Sequence, residues 1–120
     1  MIAGPWIDVR ELTTDGADAG SPVAADMVSL EQDGPRVEVR LVDGAVAGTP
    51  TSVTFGVWRK SGAYVDKLGT FTVTGASIAT SQPAIFELYD GNVYVTVESF
   101  SGGTSPTVSG TLQARVARGG

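Results

Sequence analysis

The sequence predicts an all-β fold: a single-domain antiparallel β-sandwich, jelly-roll-like, of about eight strands. Three observations predict it. Apolar residues recur at every second position in each long apolar segment, which puts one face of the segment on a core and the other in water. The β-branched residues Val and Thr number 16 and 13, and good helix formers never cluster at helical spacing. Turn dipeptides punctuate the chain at strand-like intervals, with Asp-Gly at 15–16, 33–34, 43–44 and 90–91, and Ser-Gly at 61–62, 101–102 and 109–110.

The elements follow in chain order. Residues 1–5 and 118–120 read as mobile ends of a domain that spans 1–120. Ile7–Val9 and Met27–Leu30 are short strand candidates, with a scrap of helix around Val23–Met27. Arg36–Val42 alternates Val37, Val39 and Leu41 with Arg36, Glu38 and Arg40. Ser52–Trp58 sets Val53, Phe55 and Val57 against Thr54, Gly56 and Trp58. Thr70–Thr74 and Ala84–Leu88 are shorter candidates of the same kind. Asn92–Ser99 alternates Val93, Val95 and Val97 with Tyr94, Thr96 and Glu98, and Thr111–Val116 places Leu112, Ala114 and Val116 inward.

Two hairpins are expected. An Asp90-Gly91 turn would oppose Leu88 to Val93, Phe86 to Val95 and Glu87 to Tyr94. A three-residue loop at Lys60-Ser61-Gly62, with Gly62 left-handed, would pair Val57 with Val65 and Trp58 with Tyr64.

Composition excludes several activities. Net charge is −5, with nine of thirteen carboxylates in residues 1–43 and one adjacent basic pair, Arg59-Lys60. Duplex binding needs a dense cationic face, so no nucleic acid is expected as a partner. No apolar run reaches the roughly 20 residues of a membrane helix, and the N-terminus lacks the basic-then-apolar order of a secretory signal. Neither a membrane span nor a signal peptide is expected. There is no Cys and no His, which removes disulfides, thiolate chemistry, a His base and a Ser-His-Asp triad.

The remaining motifs read as structure. Glu87 and Glu98 would lie roughly 14 Å apart along the expected ribbon at about 3.4 Å per residue. Glycoside hydrolysis needs carboxylates at about 5–5.5 or 6.5–9.5 Å. Asp15 and Asp18 in TTDGADAGSP lack the alternating ligands and closing Glu of a calcium loop. SGGTSP lacks the Gly-Lys-Ser/Thr ending of a phosphate cradle and reads as a strand connector. The chain is expected to be no enzyme and to need no cofactor or metal.

Outward aromatics are the best remaining feature. Trp58, Tyr64, Tyr89 and Tyr94 fall on the non-core parity, and Trp6 and Ile7 follow Pro5 just inside the N-terminus. Such rings anchor protein interfaces, stack on sugars or stabilise their own hairpin. Val93–Val97 and Thr111–Val116 carry no Pro or Lys to guard a sheet edge, so a neighbouring subunit would be a suitable cover.

The last third, PAIFELYDGNVYVTVESFSGGTSPTVSGTLQARVA, resembles the closing strands of small β-sandwich structural proteins of tailed-phage virions, namely capsid decoration (cement) proteins and head or tail knob and fibre proteins. The shared features are an Asp-Gly hairpin, a Val/Tyr strand, a Gly/Ser/Thr/Pro connector and a final strand near the C-terminus. TSVTFGVWRKSGAYVDKLGTFTVTG fits the same style, so the likeness covers roughly residues 36–117. The resemblance implies a non-enzymatic role on the outer surface of a virion, self-association as a homo-oligomer, commonly a trimer, and docking on the major capsid or another virion protein. A module binding a cell-surface glycan through Trp58, Tyr64 or Tyr94 is the alternative.

Overall fold

The computed structural model describes residues 2–18, 20–30, 34–61, 63–75, 78, 83–87 and 92–118. The described residues form nine strands and one turn of 3-10 helix. The strands are β1 (Ile2–Ala3), β2 (Ile7–Asp15), β3 (Val28–Ser29), β4 (Arg36–Ala47), β5 (Ser52–Ser61), β6 (Tyr64–Thr74), β7 (Ala84–Glu87), β8 (Asn92–Ser101) and β9 (Thr107–Arg118). The helical turn, Ala24–Asp26, falls where the helical scrap is expected. The residue before it is tied to its end, because the Asp26 carboxylate accepts from Val23 N at 2.8 Å.

Two antiparallel sheets result. One has the order β1-β9-β4-β7, with β2 beside β1 on the same flank of β9; the other has the order β3-β8-β5-β6. The pairings β2:β9, β3:β8, β4:β7 and β5:β6 all occur. They nest the second half of the chain against the first, as when one long antiparallel ribbon is rolled up. This is the jelly-roll arrangement.

The alternating positions fill the space between the sheets. Val37, Val39, Val53, Phe55, Val57, Val93, Val95, Val97, Leu112 and Ala114 are fully buried. Phe55 stacks on Phe71 with centroids 5.2 Å apart, and Phe71 meets Phe86 of the other sheet at 6.3 Å. That aromatic trio closes one flank of the sandwich.

Several expectations need correction. Ala84–Glu87 and Asn92–Ser101 do not form a hairpin: β7 pairs with β4, placing Phe86 opposite Val37, while β8 joins the other sheet. Leu88, Tyr89, Asp90 and Gly91 lie outside the described residues. The β5–β6 hairpin exists, but Ser61 faces Tyr64 and Trp58 faces Lys67, with an extra residue in β6 between Lys67 and Gly69. Asp43-Gly44 and Ser109-Gly110 are not turns. They lie inside β4 and β9, facing each other where the register slips between Val42 and Ala45. Ile2 and Ala3, read as part of a mobile end, pair with Arg118 and Ala117. Ser101–Pro106 is the expected connector, held to the neighbouring loop by a hydrogen bond from Thr104 N to Gly48 O at 2.9 Å.

Candidate functional site

The outward row of β5 and β8 carries the site. Trp58 faces Tyr94 and Gly56 faces Thr96 across the two strands. The Trp58 indole N–H donates to Thr96 Oγ1 at 2.9 Å, which satisfies the hydroxyl of a residue that is only 4% exposed. Lys67 on β6 reaches across β5 to Glu98, 2.6 Å from Oε1, with its ammonium 5.5 Å from the centre of the Trp58 ring. Glu98 lies over Gly56, where any side chain would displace its carboxylate. The result is a polar and aromatic surface on which Lys67 and Glu98 are already paired.

A hollow of about 160 Å³ opens beside Tyr94, lined by Arg10, Asp18, Ser21, Asp26, Tyr94 and Thr96 among others. Its floor is an ion pair that joins the two sheets. The register of β2 on β9 slips between Asp8 and Arg10, so Arg10 faces Leu112 and points toward the gap between the sheets. Its guanidinium donates to both carboxylate oxygens of Asp18, at 2.7 and 3.0 Å, and to Val95 O of β8 at 3.2 Å. Asp18 in turn accepts from Val97 N at 2.7 Å, while its own N–H donates to Val97 O at 2.8 Å. The Arg10 hydrogen bond holds the Asp18 carboxyl below the usual carboxylate range, against the opposing effect of burial. The same bond raises the Arg10 pKa further above its ordinary value. Burial pushes the Tyr94 phenol up.

Three features of the sequence reading change meaning here. Asp15 and Asp18, considered for a calcium loop, both turn to Arg10, at 3.3 and 2.7 Å. The flank of β8 is covered within the chain by β3, Arg10 and Asp18, and β9 lies between β4 and the β1–β2 flank. Neither strand therefore presents the bare edge that a neighbouring subunit was expected to cover. Glu87 and Glu98 sit in different sheets, and Glu98 is committed to Lys67.

The remaining expected site residues scatter. Trp6 is clamped on the outer face of the other sheet, with the Arg40 guanidinium 3.9 Å and the Arg115 guanidinium 4.3 Å from its ring centre. Arg40 also donates to Gln113 at 2.8–2.9 Å, Gln113 to Asp8 at 2.7 Å, and Arg115 pairs with Glu38 at 3.3 Å. Ile7 faces Ala114 and packs on the core. Tyr64 is 77% exposed at the tip of the β5–β6 hairpin. Tyr89 lies outside the described residues. The structure thus brings Trp58 and Tyr94 together and separates them from Trp6 and Tyr64. Sequence reasoning missed Arg10 as the clip between sheets, and missed the exposed Ile85, which faces Glu38.

Comparison with protein-family models, with curated proteins and with solved structures found no match to this chain.

Proposed function

We propose that this protein is a non-enzymatic structural component of a virion, an auxiliary capsid (decoration or cement) or appendage protein on its outer surface. It acts by self-association and by docking on a larger protein scaffold such as the major capsid protein. The observation that carries this reading is a contrast in how surface groups are satisfied. Four carboxylates of the kind that serve chemistry are tied up: Asp15 and Asp18 by Arg10, Glu38 by Arg115 and Glu98 by Lys67. The chain holds no His or Cys. Surface suited to protein contact is open, with Tyr64 and Ile85 exposed at 77% and 55%, and with β6 paired to β5 alone among the described residues. Jelly rolls serve as capsid and as lectin domains, so the fold is compatible with the reading without deciding it.

Co-sedimentation with assembled capsid shells tests the docking, and analytical ultracentrifugation of the free chain counts its copies. The expected outcome is a chain that self-associates and pellets with shells. A monomer that stays in the supernatant at every shell concentration overturns the reading.

The hollow beside Tyr94 favours a second reading, recognition of a glycan. At about 160 Å³ it is smaller than the roughly 300 Å³ at which ligand pockets begin, so it would take one edge of a sugar ring, with Trp58 and Tyr94 as the shelf. Trp58→Ala should then abolish saccharide-induced NMR shifts in Tyr94 and Ser21, while leaving self-association intact.

A further inference from the structure

We propose that the outer edge of β6 is the self-association surface, and that two copies of the chain pair there antiparallel about a twofold axis through Phe71. The proposal rests on the self-association reading above and gives it a place and a symmetry.

β6 is the terminal strand of its sheet, and among the described residues it pairs only with β5. At 11 residues it is as long as a paired interior strand, and its outer N–H and C=O groups form a ready template. Proteins guard such edges with charge or proline. Here proline is absent, and the two charges that could guard the edge are drawn back across the sheet. Lys67 reaches over β5 to Glu98 at 2.6 Å, and Asp66 pairs with Arg59 of β5 at 3.9 Å. From Leu68 to Thr74 the strand carries no charge at all.

The sequence of this bare half selects the occupant. Thr70-Phe71-Thr72 reads the same in both directions. Two antiparallel copies centred on Phe71 therefore set Thr70 against Thr72 of the second copy, twice, and Phe71 against Phe71. Residues directly opposite share a face, so the threonines stay on the outer face and the rings on the inner one. The chain already uses these pairings on the other side of β6. Thr54 and Thr72 face each other with hydroxyls 2.9 Å apart, and Phe55 faces Phe71 with rings stacked at 5.2 Å. A second copy of β6 would repeat on the outer edge what β5 provides on the inner one. The two four-stranded sheets would become one continuous sheet of eight. The contact is isologous and closes at two copies, so it makes pairs. A threefold assembly would have to use another surface.

Sedimentation equilibrium of the full chain is the test, with circular dichroism to confirm that each variant folds. Thr70 and Thr72 are both exposed, so lysines there leave the core untouched. The wild type should have twice the 12.3 kDa of the chain. Thr70→Lys with Thr72→Lys puts like charges opposite each other in two places and should weaken the pair by roughly tenfold or more. Thr70→Lys with Thr72→Asp places opposite charges across the same two positions and should restore it. A wild-type monomer overturns both this proposal and self-association. An oligomer that both double variants leave unchanged, or a trimer that persists in the double lysine variant, overturns the β6 edge alone and leaves self-association standing.

Discussion

Arg10 decides the closure of the sandwich on one flank. It is a charged residue placed where an apolar one would be expected, and it is tolerated because every direction it faces offers an acceptor: Asp18, Asp15 and Val95 O. Removing Asp18 leaves the guanidinium and the Val97 N–H short of partners. Asp18→Ala should cost about 1–3 kcal/mol, and each kcal/mol lowers Tm by roughly 4–8 °C in a domain near this size. The acid limb follows from the same bond. An Asp in the unfolded chain titrates near pH 3.9, and the folded Asp18 titrates below that. Its contribution is therefore complete above about pH 4 and is lost as pH falls through the lower folded value. Asp18→Asn should flatten this part of the stability profile, read as Tm between about pH 2 and pH 6 against wild type. The sequence carried a trace of this arrangement. Val9 and Leu12, both buried, stand three apart where strict alternation demands an even spacing. That irregularity marks the bulge that turns Arg10 inward, but it says nothing about which acceptor lies across the gap.

Strands and the β5–β6 hairpin were legible, and most of the long-range pairing was not, for one physical reason. Alternation is a property of a single strand, whereas pairing depends on which distant strand offers a matching face. The inward rows of β4, β5, β8 and β9 are the predicted ones. Asp43-Gly44 and Ser109-Gly110 misled, because a left-handed residue serves a bulge as well as a turn. Asp43, with φ of 54°, and Gly110, with φ of 131°, sit on facing strands at the slip between β4 and β9. A Cβ on Gly110 would lie 2.9 Å from Val42 O and 3.0 Å from Gly44 Cα. Gly110→Ala should therefore destabilise by about 1–3 kcal/mol through backbone strain and crowding. Gly16, after the end of β2, is a contrast: among the described residues beyond its chain neighbours, no atom lies within 4 Å of its would-be Cβ, and its φ is not positive. Gly16→Ala should be neutral or stabilise by about 0.4–1 kcal/mol, since it restricts only the unfolded chain. Chemical denaturation of the two variants side by side checks both signs. The hairpin expected between Ala84–Glu87 and Asn92–Ser101 fails for a different reason, competition between partners. Val37 offers Phe86 a partner in one sheet, with Phe71 across the gap, and the local sequence cannot show that competition.

Rolling the chain up makes the two sheets mutually dependent. β2 and β9, near opposite ends of the sequence, must meet to complete the first sheet, and β3 must find β8 to flank the second. Neither sheet has a hydrophobic core of its own, because the buried valines of each face only the other. Such non-local pairing places refolding in the millisecond-to-second range and makes unfolding cooperative. The two tryptophans provide a probe on each layer. Trp6 reports the first sheet from its clamp between Arg40 and Arg115, and Trp58 reports the second from its bond to Thr96. Trp6→Phe leaves the second sheet as the only source of indole fluorescence, and Trp58→Phe leaves the first. The Trp58→Phe protein should be less stable by about 1 kcal/mol, because Thr96 Oγ1 loses its donor. The comparison is therefore made within each variant. Its fluorescence midpoint in urea should coincide with its far-ultraviolet circular dichroism midpoint, and the same should hold for both variants. If the Trp58-only protein lost fluorescence signal at a lower urea concentration than its overall β signal, the second sheet would be opening while the first stayed folded. A shared core does not allow that sequence of events, because opening one sheet exposes the valines of both.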